Sequence, residues 1–148
     1  MPRIATTSPV WGASVAELRE LARIAEGAGF EAIYSPEVPP WNGLSNAQVF
    51  AEATSKIKVG TWIANIYTRM PVVAAGSALT IQEITGGRMV LGLGVSHKPV
   101  NDRFGIDMGD PVEKMREYVT AVRSFMDGTA PQLTLKRNLP KVPIYIAG

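Results

Sequence analysis

The chain has 148 residues, 46% of them hydrophobic, with 15 basic against 13 acidic side chains and a net charge of +2. That is enough apolar material for one core, and the scattered charges form neither a basic stripe nor an aromatic–basic pattern, which argues against a nucleic-acid surface. Cysteine is absent, excluding a disulfide framework and any Cys-ligated metal. No run reaches the ~18 apolar residues of a membrane span, and MPRIATTSPVWG lacks the features of a signal peptide, so a cytoplasmic protein is expected.

Ile4 to Thr7 is a short candidate strand. Ser14 and Glu17 form a capping box, Leu18, Leu21, Ala22 and Ala25 recur at helical spacing, and Gly27 and Gly29 supply the stop. Glu31 to Ser35 reads as a second strand that ends in the loop PEVPPWNGL. A second capping box, Ser45 with Gln48, is expected to open a short helix through about Ala53. Ile57 to Ile63 is the third strand. Pro71 suits the first turn of a helix through Ile84 that ends at Gly86–Gly87. Arg88 to Gly94 is the fourth strand, and a long loop follows from Val95 to Gly109. Asp110, Pro111 and Glu113 start a helix that continues to about Met126. A short strand at Leu133–Leu135 precedes a core strand, Val142 to Ala147.

Strict β-α alternation predicts a parallel sheet wrapped by helices, with ligands at the C-terminal rim of the strands. A doubly wound sheet and a (β/α) barrel both fit that order. The first βα turn lacks G-x-G-x-x-G, and no G-x-x-x-x-G-K-[ST] occurs, so dinucleotide and P-loop folds lose ground. An eight-stranded barrel needs about 250 residues. The expectation is therefore the first half of a TIM (β/α)8 barrel in a single domain over residues 1–148, with about five parallel strands and four helices.

The segments VGTWIANIYTRMP, the helix to ITGGR, and RMVLGLGVSHKP resemble the bacterial luciferase-like monooxygenase superfamily, in its coenzyme F(420)-dependent oxidoreductase branch. NxYTRxP and GGRxxLGLGVSH carry the resemblance most specifically; GFEAIYSPE and VPIYIAG agree more loosely. Members are TIM barrels, usually dimeric, of about twice this length. Most of their grip on the phosphate tail of the cofactor lies in the half that has no counterpart here. The resemblance implies an oxidoreductase that moves a hydride between a reduced deazaflavin and a small organic substrate. The alternatives are an FMN-dependent monooxygenase and a non-catalytic half-barrel that self-associates.

The same resemblance points to particular residues. It places a bulge with a non-prolyl cis peptide at Trp62–Ile63, against the ring of the cofactor; the residues alone also allow an ordinary strand end with Trp62 in the core. Gly94, Val95 and Ser96 are implied to meet the ring, and small residues here let backbone amides approach a flat group. Trp41 is implied to lie over the hydride-transfer face, although a loop tryptophan closing the barrel top fits its context as well. Glu37 occupies a position where relatives carry an acid or histidine, the alternative being a solvated loop glutamate. Arg69, just before a helix, reads as a structural ion-pair partner.

His97 is the only histidine, at the end of the fourth strand, and imidazole suits proton transfer near neutral pH. One histidine without clustered acids predicts no metal site. No G-x-S-x-G occurs and no nucleophilic triad can be assembled. A homodimer or larger assembly is expected. The small residues Ala74, Ala75, Gly76 and Ala78 allow another helix to approach the third helix, or allow that helix to settle on its own sheet.

Overall fold

A computed structural model of the protein describes residues 4–9, 12–133 and 137–147. Strands β1 (Ala5–Thr7), β2 (Ala32–Ser35), β3 (Lys58–Thr61), β4 (Ala64–Asn65), β5 (Met89–Gly94) and β6 (Ile144–Ile146) alternate with helices. The helices are α1 (Val15–Gly27), α2 (Gly43–Ala53), α3 (Pro71–Thr85), α4 (Lys98–Arg103) and α5 (Pro111–Asp127). The pairings between these strands are all parallel. β1 lies on β2 and β2 on β3; β3 and β4 share one edge of β5, and β6 occupies the other. The parallel α/β sheet expected from the alternation is present, and all strand C-termini therefore emerge at one rim.

The helix ends follow their chemistry. At α1 the Ser14–Glu17 capping box forms as expected, and at α5 the Asp110 carboxylate accepts from Val112 N (2.9 Å) and Glu113 N (3.1 Å). The second capping box does not form. Asn42 caps α2 instead, its Oδ1 accepting from Leu44 N (3.0 Å) and Ser45 N (3.3 Å), so the helix starts before Ser45. Gln48 turns to Glu52, at 3.2 Å. The long loop after β5 also contains a helix, α4, supported by Lys98 on Asp102 four residues on (2.8 Å). Leu133 makes an isolated bridge with Ala130, whereas the rest of the strand expected there lies outside the described residues.

Alternation along the strands sends Ile33, Val59, Met89, Leu91 and Leu93 into one core with Leu18, Ala22, Phe50, Ile81, Val119 and Val122 of the helices. Ala74, Ala75 and Ala78 of α3 are buried in that same core, so these small residues serve packing within the chain; Val73 and Gly76 face outward.

The expected third strand, Ile57 to Ile63, is broken in two. β3 pairs with β5 through Gly60 and Val90, and pairing resumes only at Ala64 opposite Leu93. Four steps along one strand match three along the other, which is a β-bulge. The Trp62–Ile63 peptide at its crest is cis. Leu91 N and Leu93 O are engaged with β6, so the N–H and C=O of Gly92 face the gap left by the bulge. Thr61 fills it: its hydroxyl donates to Gly92 O (2.7 Å) and accepts from Gly92 N (3.1 Å), completely buried. The two strands approach so closely that a Cβ on Gly92 would stand 2.0 Å from the Thr61 carbonyl oxygen.

At the opposite rim Glu26 binds the chain entering β3. One carboxylate oxygen accepts from the backbone N–H groups of Ser55 (2.8 Å), Lys56 (2.6 Å) and Ile57 (3.2 Å). Burial pushes its pKa up, but these three amides, with Arg88 nearby, outweigh that and lower it below the ordinary 4.5.

Two outcomes follow. Replacing Thr61 by Val keeps the shape but strands both polar groups of Gly92, and urea unfolding should lose about 3 kcal/mol, with Thr61→Ser retaining most of it. Glu26 contributes stability that is present above about pH 4.5 and is lost as pH falls through its lower folded pKa. Glu26→Gln should therefore lower stability at neutral pH and flatten the acid limb of a stability–pH curve.

Candidate functional site

The segments leaving β2, β3, β5 and β6 enclose a cavity of about 410 Å³ at the C-terminal rim. Pro36 to Pro39 form one side, Trp62 and Ile63 the second, and Gly94 to His97 with Val100 the third; Ala147 closes the edge. The lining is mainly apolar, and the volume falls within the roughly 300–1,000 Å³ typical of small-molecule sites. Of the eight residues singled out from the sequence, seven line this cavity: Glu37, Trp62, Ile63, Gly94, Val95, Ser96 and His97.

Trp62 is 49% exposed, so it is not a core residue at an ordinary strand end. Its N–H remains tied to Ser35 O (2.8 Å), and its ring meets Tyr34 at 5.9 Å between centroids. Tyr34 has its pKa raised by burial first, then by Tyr145 and Glu31. Ile63 lies directly over Gly94: a Cβ there would approach Ile63 Cγ1 to 2.6 Å. The bulge thus rests on backbone rather than on a side chain. Beyond Gly94 the chain turns through Ser96, whose φ of 59° is left-handed, and reaches His97 at the head of α4. His97 is exposed at the cavity edge.

Glu37 is not a solvated loop acid. Its side chain is 6% exposed and paired with Arg69, which is 9% exposed. The carboxylate also accepts from Gly43 N (3.2 Å), Asn65 N (3.1 Å) and Thr68 Oγ1 (3.2 Å). A carboxylate has about four lone-pair sites, and here the two amides and the guanidinium occupy three, while the single Thr68 hydroxyl proton is shared with Asn65 O at 3.0 Å. Arg69 is the ion-pair partner its position suggested. Its Nη1 and the hydroxyl of Tyr118 are buried with no partner among the described residues. Burial pushes the Tyr118 hydroxyl up to about 12, with Arg69 opposing and Glu37 adding to the rise.

Asn65 and Asn101 complete the frame. Asn65 Nδ2 donates to Asn101 Oδ1 (3.0 Å), and Asn101 Nδ2 donates to Val95 O (2.9 Å), fixing the turn after β5. Asn65 Oδ1 accepts from Tyr67 N (3.1 Å), while the Tyr67 hydroxyl donates to Met108 O (2.7 Å). Asn101 was hidden in a segment read as irregular, although Pro99 with the Lys98–Asp102 spacing signals the helix that carries it.

Trp41, the eighth residue, lies outside this cavity. It is 37% exposed and lines a neighbouring cavity of about 380 Å³, which shares Glu37 and Pro39 with the first.

Residues 2–148 match the family model described as luciferase-like monooxygenase. The chain belongs to that family. It is 33% identical over 117 residues to 5,10-methylenetetrahydromethanopterin reductase of Methanolobus tindarius, across 77% of this chain and 35% of that protein. It is 31% identical over 123 residues to a provisionally assigned coenzyme F(420)-dependent oxidoreductase of Mycobacterium tuberculosis, covering 82% and 35%. Among solved structures it superimposes on the oxygenating constituent of 3,6-diketocamphane monooxygenase of Pseudomonas putida, in complex with FMN. There the TM-score is 0.79 at 17% identity, over 99% of this chain and 51% of that one. The chain thus spans about a third of the length of these curated relatives. Its sheet corresponds to about half of a TIM barrel of the luciferase-like type.

Removing Arg69 should be costly, because Glu37 then stays buried without its counter-charge. For Arg69→Met we expect a loss of about 3–5 kcal/mol in denaturant unfolding. Neutralising both partners (Glu37→Gln with Arg69→Met) should recover part of that loss.

Proposed function

We propose that the protein is an oxidoreductase that moves a hydride between a reduced deazaflavin, coenzyme F(420), and a small organic substrate. The observation that carries this reading is the apolar cavity at the strand C-termini, walled by the Trp62–Ile63 bulge and floored by backbone at Gly94. A flat ring fits such a wall, since the absence of a Cβ at Gly94 leaves the Ile63 side chain seated and the surface level. Trp62 and Ile63 would hold one face of the ring, and the backbone of Gly94, Val95 and Ser96 would border it. Bound there, the reduced deazaflavin supplies the hydride.

The residues of the chain then orient the ring, exclude water and manage the proton. His97 is the side chain at the cavity edge suited to hold a proton at an imidazole nitrogen near neutral pH. Glu37, held by the Gly43 and Asn65 amides and by Arg69, enters as a positioning residue that locks the loop after β2 to the loop after β4. Support for a deazaflavin comes from the relatives above 30% identity, one a reductase and one assigned to coenzyme F(420). The second reading, an FMN-dependent monooxygenase, is favoured by the likeness to a structure that contains FMN.

Titration with oxidised coenzyme F(420) and, separately, with FMN tests the choice by absorbance and by tryptophan quenching at Trp62. The deazaflavin is expected to bind saturably and more tightly than FMN. Gly94→Ala should weaken it by about tenfold while circular dichroism is retained, because the new Cβ displaces Ile63 from the wall. Tight binding of FMN alone would favour the monooxygenase, and binding of neither would defeat both.

A further inference from the structure

The pair Asn42–Gly43 has a chemistry of its own. A main-chain nitrogen can attack the side-chain amide carbon of the asparagine before it, and glycine permits this most readily because no Cβ stands beside the attacking nitrogen. The new N–Cγ bond closes a succinimide while the Cγ–Nδ2 bond breaks and ammonia leaves. Water then opens the ring at one carbonyl or the other, giving aspartate or isoaspartate. The pair stands between the loop after β2, which carries Glu37, and α2, which Asn42 caps. Asn42 itself is exposed, so solvent reaches it.

Three features of the fold oppose the first step. Asn42 is extended, with ψ 115°, which turns the Gly43 nitrogen away from the Asn42 side chain. Asn42 Oδ1 accepts from Leu44 N (3.0 Å) and Ser45 N (3.3 Å), which holds the side-chain amide over the end of α2. Gly43 is buried, and its N–H donates to Glu37 Oε2 at 3.2 Å. The nitrogen must lose that proton to attack, and an amide anion formed against a buried carboxylate would meet a like charge. Glu37 is held in turn by Arg69 and by Asn65 N (3.1 Å).

We propose that Asn42–Gly43 is a latent modification site, held unreacted by Glu37 while the loop after β2 is closed and converted to aspartate or isoaspartate when that loop opens. The two products differ in consequence. Aspartate caps a helix as well as asparagine does, and its charge suits the helix N-terminus. Isoaspartate carries the main chain through the side-chain carboxyl and lengthens it by one methylene, so the bonds to Leu44, Ser45 and Glu37 lose register. The side of the first cavity to which Glu37 belongs then loses its anchor. This holds whatever the cavity binds.

Incubation of the full chain at mildly alkaline pH, with and without urea, followed by peptide mass spectrometry, reads the conversion at Asn42. Asn46, followed by Ala47, lies in the same tryptic peptide and serves as an internal reference. In urea Asn42 should convert well ahead of Asn46, and Gly43→Ala should remove that lead. In the folded chain three hydrogen bonds must open first, so conversion at Asn42 should be about a hundredfold slower than in urea. Glu37→Gln, folded by circular dichroism, should speed conversion in the native state about tenfold, because the charge opposing loss of the Gly43 proton is gone. Glu37→Gln together with Arg69→Met should do the same, and takes the place of the single variant where that one does not fold. Equal rates in the folded and urea-unfolded chain, or a native rate indifferent to loss of the Glu37 charge, would overturn the proposal.

Discussion

The buried exchange between Thr61 and Gly92 is the contact on which the rim depends. A bulge in a central parallel strand leaves one residue of the neighbouring strand with nothing to bond, and an unpaired buried N–H and C=O would together cost several kcal/mol. Here a threonine hydroxyl, able to donate and accept at once, takes both groups of Gly92. That leaves the next two residues, Trp62 and Ile63, free of ladder duty except for the single bond from Trp62 N to Ser35 O. They turn to the cavity because the sheet beneath them no longer needs them. The glycines of β5 are the other half of this arrangement: with a side chain at Gly92 the strands could not approach, and with one at Gly94 Ile63 could not settle.

A second layer of order comes from polar side chains that stitch loops of different origin. Glu37 gathers donors from the start of α2, from β4 and from the turn before α3; Asn65 passes the connection to Asn101, and Asn101 to the turn after β5. Loops on a surface ordinarily satisfy their backbone with water and stay mobile. These are held by buried groups whose removal leaves charges or amides unpaired, so the rim gains rigidity from the same physics that makes its members hard to replace.

The parts of this arrangement that were legible in the sequence are those encoded by short-range pattern. The alternation of elements, the Ser14–Glu17 and Asp110 caps, and the run GLGVSH at a strand end all read correctly because each depends on neighbours a few residues apart. Asn42 was missed in favour of Ser45 because both are good caps in sequence, and the choice is made by Glu37, which takes the first N–H of the helix from six residues away. Asn101 and Thr61 were invisible for a related reason: their value lies in partners 31 to 36 residues distant, which no local pattern announces. The interruption of the third strand was suggested by family resemblance, whereas β-propensity alone runs straight through Trp62 and Ile63.

Glu37 and His97 stand in different surroundings at the same rim, the first buried and the second exposed. The Glu37 carboxylate is taken up by the Gly43 and Asn65 amides and the Arg69 guanidinium, which ties it into the frame of the rim. His97 is exposed at the edge of the first cavity, at the end of the segment that Asn101 fixes. The sequence placed an acid and a histidine near the same strand ends and left their division of labour open. The packing treats the two differently: the acid is buried in the wall, and the histidine is exposed at the edge of the cavity.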